Sequence, residues 1–236
     1  MITNGDFTGR VVNNIRALNK DGRISRRHVL NVGKVKSAFY ITQKLGEHSL
    51  FKDEGIITYM DCVKLNSVSP RICGIAEFSR CSDLMRTVER LPETLYTRQG
   101  SSIVSVSSVD EGYNEGITFT PITPRQYQQQ KNRSFSKAVP PHFYYVKDGY
   151  LYLPNSQVKL LNIALITLDT RTAKEQSSCS GFDFCQSAWE DTFICPEKLL
   201  EQVTQETIEE VLRTYKAITP DENPNMDNNQ KSSTVN

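Results

Sequence analysis

The chain has 236 residues, 38% of them apolar and 23% charged, the make-up of an ordinary soluble protein with enough length for one large domain or two small ones. No apolar run approaches the roughly 20 residues needed to cross a bilayer. The opening MITNGDFTGR lacks the apolar stretch of a signal peptide, so neither a membrane span nor a secretory route is expected.

The net charge of +1 conceals an uneven distribution. Residues 1–44 carry nine Lys/Arg against two Asp, whereas residues 174–236 carry five Lys/Arg against twelve Asp/Glu. A chain basic at one end and acidic at the other can meet anionic and cationic surfaces at opposite ends, or simply carry two solvated helix faces.

In chain order, residues 8–19 (TGRVVNNIRALN) place Val11, Val12, Ile15 and Leu18 on one helical stripe. KDGRISRRHVL (20–30) then reads as a polar turn followed by a helix, with Ser25 as N-cap and Gly46 as the stop near residue 45. Val29, Val32, Val35, Ala38, Phe39 and Ile41 form its expected apolar stripe, and Arg26, Arg27, Lys34 and Lys36 a basic flank.

The period then changes. GIITYMDCVKL (55–65) favours a strand, RICGIAEFSR (71–80) another, and CSDLMRTVERL (81–91) a short helical piece. SSIVSVSSV (101–109) alternates apolar and serine residues, ITFTPIT (117–123) is a further strand, and 123–137 is a short polar helix or a loop. HFYYVKDGYLYLP (142–154) is a hairpin, because Asp148-Gly149 suits a two-residue turn with positive φ at both positions. Its register opposes Val146 to Leu151 and Tyr144 to Leu153 on one face, and Tyr145 to Tyr152 on the other. Both faces are too apolar for solvent, so the hairpin is sandwiched within the fold or under a neighbouring subunit. QVKLLNIALITLD (157–169) is a central strand, a loop carries the single tryptophan, and a helix with the stripe Leu199, Leu200, Val203, Ile208, Val211, Leu212 and Tyr215 follows Pro196.

These elements give an α+β fold. An N-terminal helical hairpin (1–55) precedes a central antiparallel, β-rich, sandwich-like domain (56–175), a loop with the C-terminal helix (176–218), and a disordered acidic and polar tail (219–236).

Chemistry is hard to find in these residues. There is no phosphate loop, nucleophile elbow or HExxH motif, and the cluster Glu206, Glu209 and Glu210 reads as a solvated helix face. The six cysteines form no C-x-x-C pair and the three histidines are scattered, so no metal or cofactor is expected; most of the cysteines read as buried apolar residues, and disulfides are not anticipated. No enzyme is expected. A helix-turn-helix would place Arg26, Arg27 and Asn31 against bases, but it needs a third supporting helix, which the neighbouring sequence does not offer. A basic rim facing phosphates without reading bases asks for less.

Taken together, GRISRRHVLNVGKVKSAFYITQKL, SLFKDEGIITYMDCVKL, EFSRCSDLMRTVERL, YYVKDGYLYLPNS, PEKLLEQVTQETIEEVL and the polar DENPNMDNN occur in an order that resembles the head-to-tail connector (neck or ring) structural proteins of crAss-like bacteriophages, over roughly residues 8–228. The resemblance implies a virion protein assembled in the host cytoplasm as a closed, twelvefold homo-oligomeric ring that extends the DNA channel. Its partners would be the portal protein, the adjacent ring or tail proteins and packaged DNA passing non-specifically, with no membrane. Arg23, Arg26, Arg27, Lys34 and Lys36 would then face portal or DNA, and the hairpin residues Tyr145, Asp148, Gly149 and Tyr152 would serve assembly or core. A tail-tube or stopper component and a helix-turn-helix DNA-binding protein are the alternatives.

Overall fold

Thr3 and Asp6 close a reciprocal cap at the head of the first helix, α1 (Asn4–Leu18): the Asp6 N–H donates to Thr3 Oγ1 (3.1 Å) and the Thr3 hydroxyl donates to Asp6 Oδ2 (2.8 Å). The computed structural model describes residues 2–18, 24–46, 54–69, 84–97, 100–109, 116–131, 142–179 and 185–218. Phe7, Val11, Val12 and Ile15 are buried from α1, but Leu18, expected on the same stripe, ends the helix 71% exposed. Helix α2 (Arg26–Gly46) follows, with Ser25 Oγ accepting from the His28 N–H at 3.5 Å.

The third helix that the sequence did not offer comes from the far end of the chain. Helix α5 (Glu197–Ile218) packs on both α1 and α2, and Phe7, Val11, Ile15, Val29, Phe193, Val203 and Val211 form their shared core. The loop before α5 fastens it to α1: the Asn4 N–H donates to Asp191 O (2.9 Å) and the Gly5 N–H to Trp189 O (2.8 Å). The basic and acidic ends of the chain therefore share one bundle.

Among the described residues seven strands close into a barrel, where a sandwich was expected. These are β1 (Thr58–Ser67), β2 (Leu84–Thr87), β5 (Ile103–Ser108), β6 (Thr118–Pro121), β7 (Phe143–Lys147), β8 (Tyr150–Pro154) and β9 (Leu160–Leu165). They run in the order β1-β2-β8-β7-β6-β5-β9, while β3 (Tyr96–Thr97) and β4 (Gly100–Ser101) make a small separate ribbon. All barrel pairs are antiparallel except β6 with β7. Closure leaves no free edge in the sheet, which is the advantage of a barrel over a sandwich.

Two local expectations give way to tertiary pairing. The helical piece expected within 81–91 is strand β2, held between β1 and β8, with Met85 inside the barrel and Leu84 outside it. In 101–109 the strict alternation breaks at a register shift between Ile103 and Ser105, so Val106 is buried and Val104 is 41% exposed. The strand expected at 71–80 and the tail 219–236 lie outside the described residues.

The barrel interior holds Met60, Val63, Leu65, Val106, Phe119, Tyr144, Leu151, Leu153, Leu161 and Ile163, alternate residues of their strands except at the irregularity between Met60 and Val63. Helix α3 (Pro124–Lys131), capped by Thr123 and Gln126, lays Tyr127 over the outside of the β7–β8 hairpin. Helix α4 (Thr170–Glu175) adds Ala173 to the barrel core. Ile41, Leu45, Ile56, Ile166 and Ile194 join barrel and bundle in one apolar seam.

Candidate functional site

Helix α2 turns two very different faces outward and inward. Val29, Gly33, Ser37 and Ile41 recur every four residues and are buried, with the Ser37 hydroxyl donating to Ile194 O. The small residues Gly33 and Ser37 let α2 approach its neighbours closely: a Cβ on Gly33 would fall 2.3 Å from Phe7 Cε1. Val35 and Phe39, one turn apart on the other side, are 67% and 62% exposed. The stripe expected from sequence was therefore misplaced in part. The four-residue spacing of Gly33, Ser37, Ile41 and Leu45 was the signal for the true inner face.

The basic residues also divide. Arg26 and Arg27 are exposed in the first turn of α2, which contains no acidic residue. Their charges add to the positive end of the helix dipole instead of offsetting it, making a positive corner. Lys34 is half-buried. Lys36 is drawn inward across the bundle, 3.9 Å from both Glu206 and Glu210 of α5, and Tyr40 donates its hydroxyl to Glu206 beside them. Arg23 lies outside the described residues. On α5 the outward residues Glu197, Glu201 and Glu209 leave an acidic face.

The hairpin has the register read from sequence, with Tyr145 opposite Tyr152 and Val146 opposite Leu151. Asp148 and Gly149 take φ of 54° and 78°. The Tyr145 and Tyr152 rings stack at 5.0 Å and both side chains are buried beneath α3, so the chain itself covers this face. On the inner face, burial pushes the Tyr144 phenol up to about 12. Burial likewise raises Tyr127.

The cysteines depart furthest from expectation. Cys62 and Cys179 form a disulfide, with Cα atoms 5.5 Å apart and a sequence separation of 117. No spacing in the sequence marks such a pair, because a β-bulge and a distant loop bring it together. Among the described residues no group of three or more His, Cys, Asp or Glu side chains converges as a metal site would require. No described helix is long and apolar enough to cross a membrane.

A family model described as phage tail ring protein 2, of the crAss ring group, matches residues 6–231. No curated protein matches the chain. With nearly its whole length covered, the chain belongs to this phage tail ring protein family.

Proposed function

We propose that this member of the phage tail ring protein 2 family is a non-enzymatic structural subunit of a closed homo-oligomeric ring in the neck, between portal and tail, where the ring extends the DNA channel. Twelve copies would match the symmetry of a portal. The subunit is made in the host cytoplasm and incorporated into the virion.

The observation that carries this reading is the pair Val35 and Phe39, exposed one turn apart in the middle of α2, while the bundle buries Phe7, Val11, Val12, Ile15, Val29, Val203 and Val211 and otherwise leaves Leu18, at the end of α1, outside. A closed ring needs a heterologous contact, in which one patch of each copy meets a different patch of the next. Covering two such side chains gains on the order of 1–2 kcal/mol each at this exposure. That gain recurs at every joint of a ring. Arg26 and Arg27 form the corner that faces portal or DNA, holding phosphates without reading sequence.

The helix-turn-helix reading gains one point, since α5 supplies the third helix that it needs. Against it, the outward middle of α2 presents Val35 and Phe39, and apolar groups distinguish little in the major groove beyond a thymine methyl.

The test is Phe39→Glu. By native mass spectrometry and negative-stain imaging, wild-type protein should form rings at high concentration and the variant should remain monomeric with an unchanged circular dichroism spectrum. Rings formed equally well by Phe39→Glu would refute the contact. Binding to duplex DNA should weaken steeply with salt and ignore sequence, whereas a lasting preference for one sequence over scrambled DNA would favour the regulator.

A further inference from the structure

Strand β1 is interrupted by a bulge that is shaped to receive a distant segment. Its pairing with β9 shifts between Met60 and Val63, which keeps both of those side chains inside the barrel. Cys62, within the bulge, takes a φ of 57°, a left-handed conformation that a non-glycine residue adopts only when its surroundings hold it there. Its N–H, lost to the strand ladder, donates to Asn162 Oδ1 at 3.1 Å.

The receiving side continues one residue earlier. The Asp61 N–H donates to Ser177 Oγ (2.7 Å), and the Ser177 hydroxyl donates to Asp61 O (3.1 Å). Ser177 is buried, two residues after α4, and two residues further Cys179 reaches Cys62. Beyond it the chain runs on to Trp189, Asp191 and Phe193, which fasten the head of α1. The contact thus lies where the connection between barrel and bundle leaves the barrel wall.

We propose that Cys62 and Cys179 are a redox modification site, a clasp that is open when the protein is made and closes by exchange with a low-molecular-weight disulfide such as oxidised glutathione. The Ser177 and Asn162 hydrogen bonds need no sulfur, so the open form already holds the two thiols side by side. The two residues are unequal: Cys62 is 6% exposed, whereas Cys179 is exposed to solvent. Exchange therefore begins at Cys179. Its thiolate attacks one sulfur of the small disulfide, breaking that S–S bond, releasing one small thiolate and leaving a mixed disulfide on Cys179. Cys62, having lost its proton, then attacks the Cys179 sulfur and expels the second small thiolate. The two protein thiols lose two protons and two electrons, and the small disulfide is reduced to two thiols.

In a glutathione-reduced cytosol such a pair stays open, and transfer to an oxidising medium closes it. The closed bond joins residues 117 apart and so removes a large share of the freedom of the unfolded chain. The clasp does not depend on the ring reading and can be tested on the monomer.

Full-length protein purified under reductant is equilibrated with graded mixtures of reduced and oxidised glutathione, then alkylated, mapped by mass spectrometry and melted. Cys62 and Cys179 should lose their reactivity together and yield one cross-linked peptide. The oxidised form should melt higher by roughly 5–15 °C. Cys62→Ser should abolish that difference and trap glutathione on Cys179; if this variant misfolds, Cys179→Ser, altered at the exposed position, should abolish the same difference. Independent alkylation of the two thiols across the series would overturn the proposal. So would a cross-linked form that melts with the reduced one.

Discussion

Gly33 offers the sharpest test of how the helical bundle is packed. In an exposed helix, Gly→Ala stabilises by about 1 kcal/mol, because alanine has less backbone freedom to lose. At Gly33 the added Cβ would lie 2.3 Å from Phe7 Cε1 and 2.7 Å from Cζ, closer than carbon atoms approach. The Phe7 ring has nowhere to go, being fully buried and stacked at 3.9 Å on Phe193, with the two planes 7° from parallel. Relieving the clash means parting α1 from α2 or breaking the stack, and such overpacking costs roughly 1–3 kcal/mol. Set against the propensity gain, Gly33→Ala should lose up to about 2 kcal/mol and lower Tm by up to about 8 °C. Gly9 is the internal control. It also lies within a helix, but its Cβ would meet nothing within 4 Å. Gly9→Ala should gain about 0.5–1 kcal/mol. Both variants are melted as monomers at one low concentration, since assembly would itself shift Tm. A Gly33→Ala protein that melts higher, as Gly9→Ala should, would show that α1 and α2 are not packed as described.

Two further outcomes follow from the hairpin. Gly149 has a φ of 78° and its Cβ would meet only the Arg90 side chain at 3.7 Å or more, so Gly149→Val is opposed by backbone conformation and not by space. It should lose roughly 1–3 kcal/mol in a denaturant melt, and an unchanged midpoint would place the turn elsewhere. Tyr144, raised by burial to about 12, favours the neutral phenol in the folded state. Its contribution is fully present below the unfolded value of about 10 and is lost as pH rises through 12. A phenolate absorbance titration should therefore show Tyr144 ionising late, with unfolding setting in over that range, and Tyr144→Phe should remove the late step; a late step that persists in Tyr144→Phe would assign it to another tyrosine.

The sequence by itself determined the elements whose causes are local. Asp148-Gly149 specified the hairpin and its register, because positive φ at both turn positions leaves few alternatives. The apolar stripes located α1, α2 and α5, and Ser25 and Pro196 marked two of their starts. The order of these pieces resembles that of phage ring proteins, and the family match over residues 6–231 agrees with that broad class. What depended on partners far along the chain was decided only in three dimensions. Residues 84–87 read locally as helix and became strand because β1 and β8 offer hydrogen bonds on both sides. The face of α2 that is buried was set by α1, α5 and the loop before α5, with Phe7 over Gly33 and Ile194 O accepting from Ser37, which leaves Val35 and Phe39 outside. Lys36 looked like part of a free basic flank until α5 brought Glu206 and Glu210 to within 3.9 Å of it. The Cys62–Cys179 bond needed a bulge in one strand and a loop 117 residues away to meet, and no periodicity encodes a contact between residues so far apart.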